Sequence, residues 1–181
     1  DMHRDIVFDD VSFAYDGCPE LLSHISLTVP AGSTLGILGG TGSGKSTLVH
    51  LLDRLYELPA DGSGGRITIG GVDIADIRAS YLRRSIGIVL QEPYLFSRSI
   101  ADNISIASPG AGMEEIREAA RVACLDETVS GFSEGYDTFV GERGVTLSGG
   151  QKQRTAIARM LTEKAPIMVF DDSLSAVDAE T

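Results

Sequence analysis

Short apolar segments recur along the chain and predict β-strands. Apolar side chains stand near every second position from Ile6 to Tyr15, with a break at Asp9 and Asp10. This spacing indicates one or two strands at an antiparallel sheet edge. Further short strands are predicted at 25–29, 34–38, 66–69, 72–74, 86–90 and 167–170. The segments 86–90 and 167–170 are almost wholly apolar, as expected for buried strands.

Helical periodicity separates these strands. A helix is predicted to end before Pro59, and its apolar face would consist of Leu48, Leu51, Leu52 and Leu55. Residues 100–123 follow a helical pattern that is interrupted at 108–112. Ser148 is suited to cap a helix that runs to about Thr162. Strands and helices in this order predict a single α/β domain.

The composition narrows the partners that this domain could have. The chain has 181 residues, a hydrophobic content of 43% and a net charge of −11. The negative charge argues against nucleic acid as a partner, because such binding depends on Lys and Arg meeting phosphates. No apolar run approaches the roughly 18 residues of a membrane span, so the chain is expected to be soluble. Cys18 and Cys124 fit no disulfide or CxxC pattern and are expected to be free thiols.

The segment GILGGTGSGKST at 36–47 carries the most specific chemistry. Gly39, Gly44, Lys45 and Ser46 have the spacing GxxxxGK[ST] after an apolar run, which is typical of a phosphate-binding loop. Backbone amides and the following helix start would bind a polyphosphate, Lys45 would reach its terminal phosphates, and Ser46 would face magnesium. The alternative, a plain glycine-rich turn, does not explain a Lys and two hydroxyl residues at the helix start. The predicted residues are Gly39, Gly40, Thr41, Gly42, Ser43, Gly44, Lys45, Ser46 and Thr47.

Two later motifs complement this loop. The apolar strand at 167–170 ends in Asp171, and a magnesium ion that bridges nucleotide phosphates needs such an outer carboxylate. Between the two lies Leu147-Ser148-Gly149-Gly150-Gln151, where Ser148 begins a helix whose free N–H groups form a second anion site. One domain cannot bring both helix starts to a single phosphate group. The second site therefore predicts a second nucleotide, presented by a partner domain.

Together these motifs resemble the nucleotide-binding domain of an ABC transporter of the exporter type, and the likeness covers essentially the whole chain. It implies a P-loop NTPase core with an antiparallel β subdomain at 1–92 and 163–181, and a helical subdomain at 93–162. It also implies a C-terminal truncation and a transmembrane domain outside this chain. The ligands implied are ATP and Mg²⁺, and the activity implied is ATP hydrolysis coupled to transport.

The resemblance also implies individual roles. Tyr15 would stack on adenine, although its strand position equally permits a core aromatic. Gln91 would contact magnesium and the attacking water, and Asp178 would lie in a loop that crosses a dimer interface. The magnesium ligands implied are Ser46, Gln91 and Asp171. The residues implied to cap the nucleotide of the partner domain are Ser148, Gly149, Gly150 and Gln151.

Two segments resemble patterns specific to exporters. Tyr94-Leu95-Phe96, together with 99–104, is similar to the pattern that contacts coupling helices of the transmembrane domain, near Gln91 to Ile100. Core packing is the alternative for these three residues. The segment 140–144 resembles a second exporter loop, and the alternative for its charged pair is a solvated ion pair worth under about 1 kcal/mol.

Asp172 departs from the family pattern, which has a glutamate as the catalytic base at this position. The shorter carboxylate is displaced by about 1 Å, and misplacement of that order lowers a rate by about 100-fold. One interpretation is a tolerated swap with a slower base. The other is a degenerate site, as in one half of a heterodimeric exporter whose non-identical partner has the glutamate. Gly40 is a minor departure, because exporters more often have proline there.

The function predicted is therefore that of an ABC exporter domain which dimerises around Mg-ATP at the cytoplasmic face of a membrane. The switch histidine of the family would lie beyond Thr181, so hydrolysis by the isolated chain is expected to be weak. One alternative is an ATP-gated dimerisation module without hydrolysis. Another is a soluble ABC ATPase that acts on DNA or ribosomes, but the basic arms and coiled-coil insertions expected of that class are absent from this sequence.

Overall fold

The computed structural model describes residues 2–141 and 145–171. The chain divides into two compact units, Asp1–Ile86 and Gly87–Thr181. The strands are β1 (Ile6–Phe13), β2 (Leu22–Val29), β3 (Arg66–Ile69), β4 (Val72–Asp73), β5 (Ile86–Val89) and β6 (Ile167–Phe170). The α-helices are α1 (Lys45–Leu52), α2 (Ala79–Arg84), α3 (Ile100–Ser105), α4 (Met113–Val122), α5 (Asp126–Ser130) and α6 (Gly149–Glu163). The predicted α/β class is confirmed.

The first unit contains the antiparallel sheet predicted from the alternating pattern, with strand order β2-β1-β3-β4. In β1, Phe8 pairs with Leu27 and Val11 pairs with Ile25, and the register shifts between these two pairs. The shift coincides with the break that the sequence shows at Asp9 and Asp10. Asp10 has a φ of 55°, so the extra residue is accommodated by a local left-handed turn of the backbone. The antiparallel strand and its irregularity were therefore predicted correctly. Its position at a sheet edge was wrong, because β1 pairs with β2 on one side and with β3 on the other.

Helix α1 confirms the helix predicted after the glycine loop, but it is shorter than expected. Leu48, Leu51 and Leu52 are buried, as their spacing predicts. Leu55 is exposed, because the chain leaves the helix at Arg54, whose φ is 52°. Assigning Leu55 to the apolar face was therefore wrong.

The predicted strand at 34–38 is not formed. Residues 33–40 have no regular secondary structure, and Leu38 is 99% exposed. A strand needs hydrogen bonds to a neighbour, and among the described strands none pairs with this segment. An apolar run indicates that a segment could be a buried strand, but it does not supply the partner.

The second unit is mainly helical, with a two-stranded sheet of β5 and β6. Its hydrophobic core consists of Ile100, Ile104, Ile116, Ala119, Ala120, Ala123, Leu125, Val129, Tyr136, Val140, Leu147 and Ala158. Helices α3 and α4 flank the interruption predicted at 108–112. Strand β6 has Met168 and Phe170 exposed, so its predicted burial was wrong. The reason is that β5 is its only neighbour among the described strands.

The sequence also led to predictions about the cysteine thiols, membrane-spanning segments and subdomain boundaries. The thiols of Cys18 and Cys124 are free, as predicted, and both residues are exposed. Within the described ranges, no helix has the length and apolar character required to cross a membrane. The subdomain boundaries given above, with a helical subdomain at 93–162, stay a prediction.

Candidate functional site

The glycine loop before α1 leaves a helix start open to an anion. Gly44 is the N-cap residue of α1, with a φ of 90°, and no described side chain caps the helix. A Cβ at Gly44 would lie 2.5 Å from Cδ2 of Leu22, so both the backbone conformation and the space require glycine. The first N–H groups of an α-helix have no partner within the helix. The amides at the start of α1 can therefore donate to phosphate oxygens.

The ammonium group of Lys45 closes over this loop. Its Nζ donates to the carbonyl oxygens of Gly39, at 2.8 Å, and Gly40, at 3.0 Å. The amide of Ser43 donates to the same Gly40 oxygen at 3.3 Å, which completes a tight turn. The hydroxyl-bearing residue Ser46 is exposed beside it. These residues fit a polyphosphate, because a cation, a hydroxyl and the uncapped amides of a helix start lie together in one loop.

Tyr15 lies next to this loop within the first unit. Its hydroxyl is 3.0 Å from Oγ1 of Thr47, a buried residue in the first turn of α1. The Tyr15 ring meets the Phe13 ring edge-on, with centroids 5.1 Å apart and an interplanar angle of 85°. Tyr15 is only half-buried, so part of its surface stays accessible. The structure therefore brings the predicted base-stacking residue to the phosphate loop, and its stacking role stays a prediction.

The second predicted anion site is the start of α6, in the second unit. Ser148 is the N-cap residue, and its hydroxyl accepts a hydrogen bond from the Gln151 amide at 3.3 Å. In return, Oε1 of Gln151 accepts from the Ser148 amide at 2.9 Å, which makes a capping box. The predicted N-cap is thus confirmed. Ser148 and Gly149 are exposed, so the amides of Gly149 and Gly150 stand at an accessible helix start.

Gln91 and Asp171 belong to the same unit as α6. Nε2 of Gln153, on α6, donates to the carbonyl oxygen of Gln91 at 2.5 Å and more weakly to that of Leu90 at 3.4 Å. The Asp171 amide donates to the carbonyl oxygen of Val89 at 2.9 Å, so Asp171 continues the pairing of β6 with β5. Gln153 follows the segment 147–151, hereafter the signature motif, and its bond to Gln91 was not predicted from the sequence. Only 2% of this polar residue is exposed, which distinguishes it from its immediate neighbours on α6.

The buried Asn103 and the half-buried Arg159 fix the segment after Gln91. The Asn103 side chain is fully buried, donates to the carbonyl oxygens of Phe96 and Ser99, and accepts from the Phe96 amide at 2.8 Å. Arg159, on α6, donates to the carbonyl oxygens of Asn103, at 2.8 Å, and Tyr94, at 3.1 Å. Burial lowers the pKa of the Arg159 guanidinium from its usual value. Asn103 lies within the exporter segment 99–104 named from the sequence, but its burial was not predicted. Arg159 was not singled out, because its partners are distant along the chain.

Tyr94, Leu95 and Phe96, which were predicted to contact the coupling helices, differ in their burial. Tyr94 and Phe96 are 71% and 40% exposed, and their rings meet edge-on with centroids 5.1 Å apart. Leu95 instead packs against the core of the second unit. Core packing therefore describes Leu95, whereas the two aromatic residues present an apolar surface to solvent.

The magnesium ligands predicted from the sequence are oxygen donors of the kinds that Mg²⁺ prefers. They are the hydroxyl of Ser46, the amide of Gln91 and the carboxylate of Asp171. In the part of the chain that the structure describes, no cluster of three or more His, Cys, Asp or Glu offers an alternative metal centre. The residues present therefore suit magnesium that arrives with a phosphate ligand.

Several predicted residues lie outside the described ranges. They are Asp172 and Asp178 near the end of the chain, and Glu142, Arg143 and Gly144 in the second exporter loop. The predictions made for them stand on the sequence alone.

Comparisons with known proteins agree with these motifs. A sequence model of the ABC transporter family matches residues 22–175. The β-(1→2)glucan export ATP-binding/permease protein NdvA of Rhizobium johnstonii is 45% identical over 181 residues, which is 100% of this chain and 30% of that protein. The toxin RTX-I translocation ATP-binding protein of Actinobacillus pleuropneumoniae is 45% identical over 178 residues, which is 98% of this chain and 25% of that protein.

A solved structure leads to the same family. The structure of a bacterial Atm1-family ABC exporter with ATP bound matches 98% of this chain, with a TM-score of 0.91 and 44% sequence identity. This chain covers 31% of that exporter chain, and it spans less than a third of each relative named above. The chain therefore belongs to the ABC transporter family and is an ATP-binding domain of the exporter type.

Proposed function

We propose that this chain binds Mg-ATP and pairs with a second nucleotide-binding domain to drive the transport cycle of an exporter. The observation that carries the proposal is the open start of α1, with Lys45 bonded to the loop carbonyls of Gly39 and Gly40. An ammonium group in this position can exchange carbonyl oxygens for phosphate oxygens with little movement of the loop. Phosphate oxygens are the stronger partners, because the resulting hydrogen bonds are assisted by charge on both sides.

Each end of the nucleotide has its own contacts in this scheme. The loop amides and Lys45 hold the phosphates, and Tyr15 stacks on the base beside Thr47. Magnesium held by Ser46, Gln91 and Asp171 would supply positive charge to the terminal phosphate oxygens. Gln153 holds the main chain of Gln91, so the Gln91 side chain starts from a fixed position.

The start of α6 serves a nucleotide bound by the partner domain. The capping box of Ser148 and Gln151 fixes the first turn, and the amides of Gly149 and Gly150 remain for an anion. A helix of this length also has a positive N-terminal dipole, which favours phosphate. Two domains arranged head to tail would give each ATP one phosphate loop and one signature helix.

Asp172 points to a partner that is not identical to this chain. Its signature sequence is intact, whereas its base is one methylene shorter than the usual glutamate. Such a chain would complete a competent site on its partner while its own ATP turns over slowly. A tolerated swap is the competing interpretation, and restoring the glutamate by Asp172→Glu separates the two. A rise in turnover of about tenfold or more supports the degenerate site.

Asp172 also favours a second candidate function, an ATP-gated dimerisation module without hydrolysis. Asp172→Glu tests this function as well. Unchanged turnover in that variant would mean that the length of Asp172 is not what limits hydrolysis.

The exposed pair Tyr94 and Phe96 would contact the coupling helices of a transmembrane domain, and the chain would then lie at the cytoplasmic face of a membrane. The groove beside the pair is lined by Leu90, Pro93 and Met160, which gives an apolar helix end a surface to bury. The named relatives export a glucan and translocate a toxin. These relatives share the ATP-binding portion but transport different substrates. Our proposal therefore covers the ATP-binding domain and not the transported substrate.

Calorimetric titration of the chain with Mg-ATP tests the proposal. We expect binding by the natural chain and a loss of affinity of at least about tenfold in Lys45→Ala, because that variant lacks the charged partner of the phosphates. Lys152→Ala is the matched control, since Lys152 is an exposed lysine one turn inside α6. Equal ATP affinity in all three chains would remove the phosphate-loop assignment.

A further inference from the structure

We infer that Tyr56 is a positioning residue for nucleotide binding, which holds the ring of Tyr15 in register with the phosphate loop. The two rings meet edge-on, with centroids 4.9 Å apart and an interplanar angle of 83°. The inference rests on the proposed function, in which Tyr15 stacks on the base. It adds a residue to that site, and it explains how a single aromatic side chain beyond the end of a strand is kept in place.

Within its own segment, the Tyr15 ring has one ring contact, edge-on to Phe13 with centroids 5.1 Å apart. Strand β1 ends at Phe13, and Ala14 and Asp16 on either side of Tyr15 are exposed. Its carbonyl oxygen accepts a hydrogen bond from the Cys18 amide at 2.9 Å, which orders the backbone but not the ring. Phe13 contacts the ring from one side only, so the orientation of the ring also depends on side chains from elsewhere in the first unit.

Two contacts from the α1 region supply that orientation. The Tyr15 hydroxyl lies 3.0 Å from Oγ1 of Thr47, at the start of α1. The Tyr56 ring contacts the Tyr15 ring from the segment that follows the end of α1. The Tyr15 side chain is thus tied to both ends of the helix whose first turn forms the phosphate site. The ribose fixes the distance between the base and the phosphates of a nucleotide. The binding site must therefore keep the stacking ring at a matching distance from the phosphate loop.

Tyr56 is itself held in place. Its ring lies 6.0 Å from the Phe13 ring and 6.0 Å from the His50 ring, and its amide donates to the carbonyl oxygen of His50 at 3.4 Å. The side chain is nevertheless 41% exposed, so it is not a core residue in the ordinary sense. An exposed ring that contacts the stacking residue can be removed with a small effect on folding and a larger one on the orientation of Tyr15.

The test separates base-containing from base-free ligands. Affinities for Mg-ATP and for magnesium tripolyphosphate are measured by calorimetry on the full chain and on Tyr56→Ala, Tyr56→Phe and Tyr15→Ala. We expect Tyr56→Ala to weaken ATP binding by about two- to tenfold, the range of an aromatic pair, and to leave tripolyphosphate binding unchanged. Tyr56→Phe keeps the ring and should bind ATP like the natural chain.

Two further variants sharpen the comparison. Tyr81→Ala removes an exposed tyrosine of the same unit, in α2, and should change neither affinity. Tyr56→Leu fills the space without a ring and replaces Tyr56→Ala if that variant does not fold. An ATP affinity that stays unchanged in Tyr56→Ala and Tyr56→Leu while Tyr15→Ala weakens it would overturn this inference alone.

The two affinities together distinguish the remaining roles that Tyr56 could have. A parallel loss of ATP and tripolyphosphate affinity in Tyr56→Ala would mean that Tyr56 supports the phosphate loop and not Tyr15, which contradicts the inference. A natural chain that binds neither ligand would remove the proposed function and the inference with it. Loss of ATP affinity alone, rescued by Tyr56→Phe, supports the inference.

Discussion

The side-chain amide of Gln153 donates a hydrogen bond to the main-chain oxygen of Gln91, with 2.5 Å between nitrogen and oxygen. Gln153 lies on α6, which begins at the signature motif, and Gln91 follows the end of β5. A displacement of α6 therefore acts directly on the segment that carries the predicted magnesium and water contact. Arg159 on the same helix binds the carbonyl oxygen of Tyr94, so α6 contacts this segment at two points.

Gln153→Leu is expected to lower the free energy of unfolding by about 1–2 kcal/mol, because the carbonyl oxygens of Gln91 and Leu90 lose a buried donor. This destabilisation lies in the lower half of the range for an unsatisfied buried group, because the substitution also removes an unfavourable feature. In the described part of the chain, the buried Oε1 of Gln153 has no hydrogen-bond partner. Urea unfolding measures the difference. Lys152→Leu, an exposed neighbour on the same helix, should change the value by less than about 0.5 kcal/mol. Equal effects of the two substitutions would contradict the role given to Gln153.

Gly44→Ala is expected to destabilise the first unit by about 2–4 kcal/mol. A non-glycine residue at a φ of 90° is strained by about 1–2 kcal/mol, and the new Cβ meets Leu22 at 2.5 Å, which adds the cost of overpacking. Gly42→Ala is the matched control, because Gly42 has a φ of 79° but open space around it. It should lose only the backbone contribution. Thermal unfolding of both variants measures the difference between their stabilities. Identical melting temperatures would show that the Leu22 side chain moves aside without cost, which contradicts the overpacking contribution.

Tyr136 predicts a fall in stability at high pH. Burial raises the pKa of the Tyr136 phenol, and its hydrogen bond to Asp126, at 2.5 Å, raises the pKa further. In the unfolded chain a tyrosine releases its proton near about pH 10, whereas the folded chain keeps it. The unfolded state therefore binds fewer protons above that pH, and stability declines as the pH rises.

The variant Tyr136→Phe isolates this contribution. Below about pH 10 it should lose about 1–2 kcal/mol, the value of a hydrogen bond to a carboxylate. At higher pH its unfolding free energy should fall less steeply than that of the natural chain, so that the two curves converge. Urea unfolding between about pH 8 and pH 11, on either side of the ordinary tyrosine pKa, measures both curves. Tyr81→Phe, at an exposed position, should run parallel to the natural chain throughout.

The features predicted correctly from the sequence are those that depend on nearby residues. The N-cap at Ser148 depends on a residue three positions further along the chain, and the buried face of α1 spans two turns. The bulge in β1 was visible as a break in alternation at Asp9 and Asp10. In each case the physical cause lies within a few positions of the effect, so the local pattern contains the information.

The features that were missed depend on distant partners. The segment at 34–38 has the composition of a strand, but hydrogen-bonded pairing is a property of two segments. Gln153 is 62 positions from Gln91, and Arg159 is 56 positions from Asn103. No spacing rule connects such residues. The extent to which each of these polar side chains is buried is known only once the chain has folded.

The bonds from Lys45 to two loop carbonyls bear on which anions the loop can select. An incoming ligand exchanges one set of hydrogen bonds for another, so its net advantage grows with the number of oxygens it offers at once. A small ion such as sulfate displaces the carbonyls from Lys45 but leaves some backbone N–H groups at the start of α1 without a hydrogen-bond partner. A chain of linked phosphates satisfies the ammonium, the amides and the hydroxyl together, and discrimination by length follows from the shape of the loop itself.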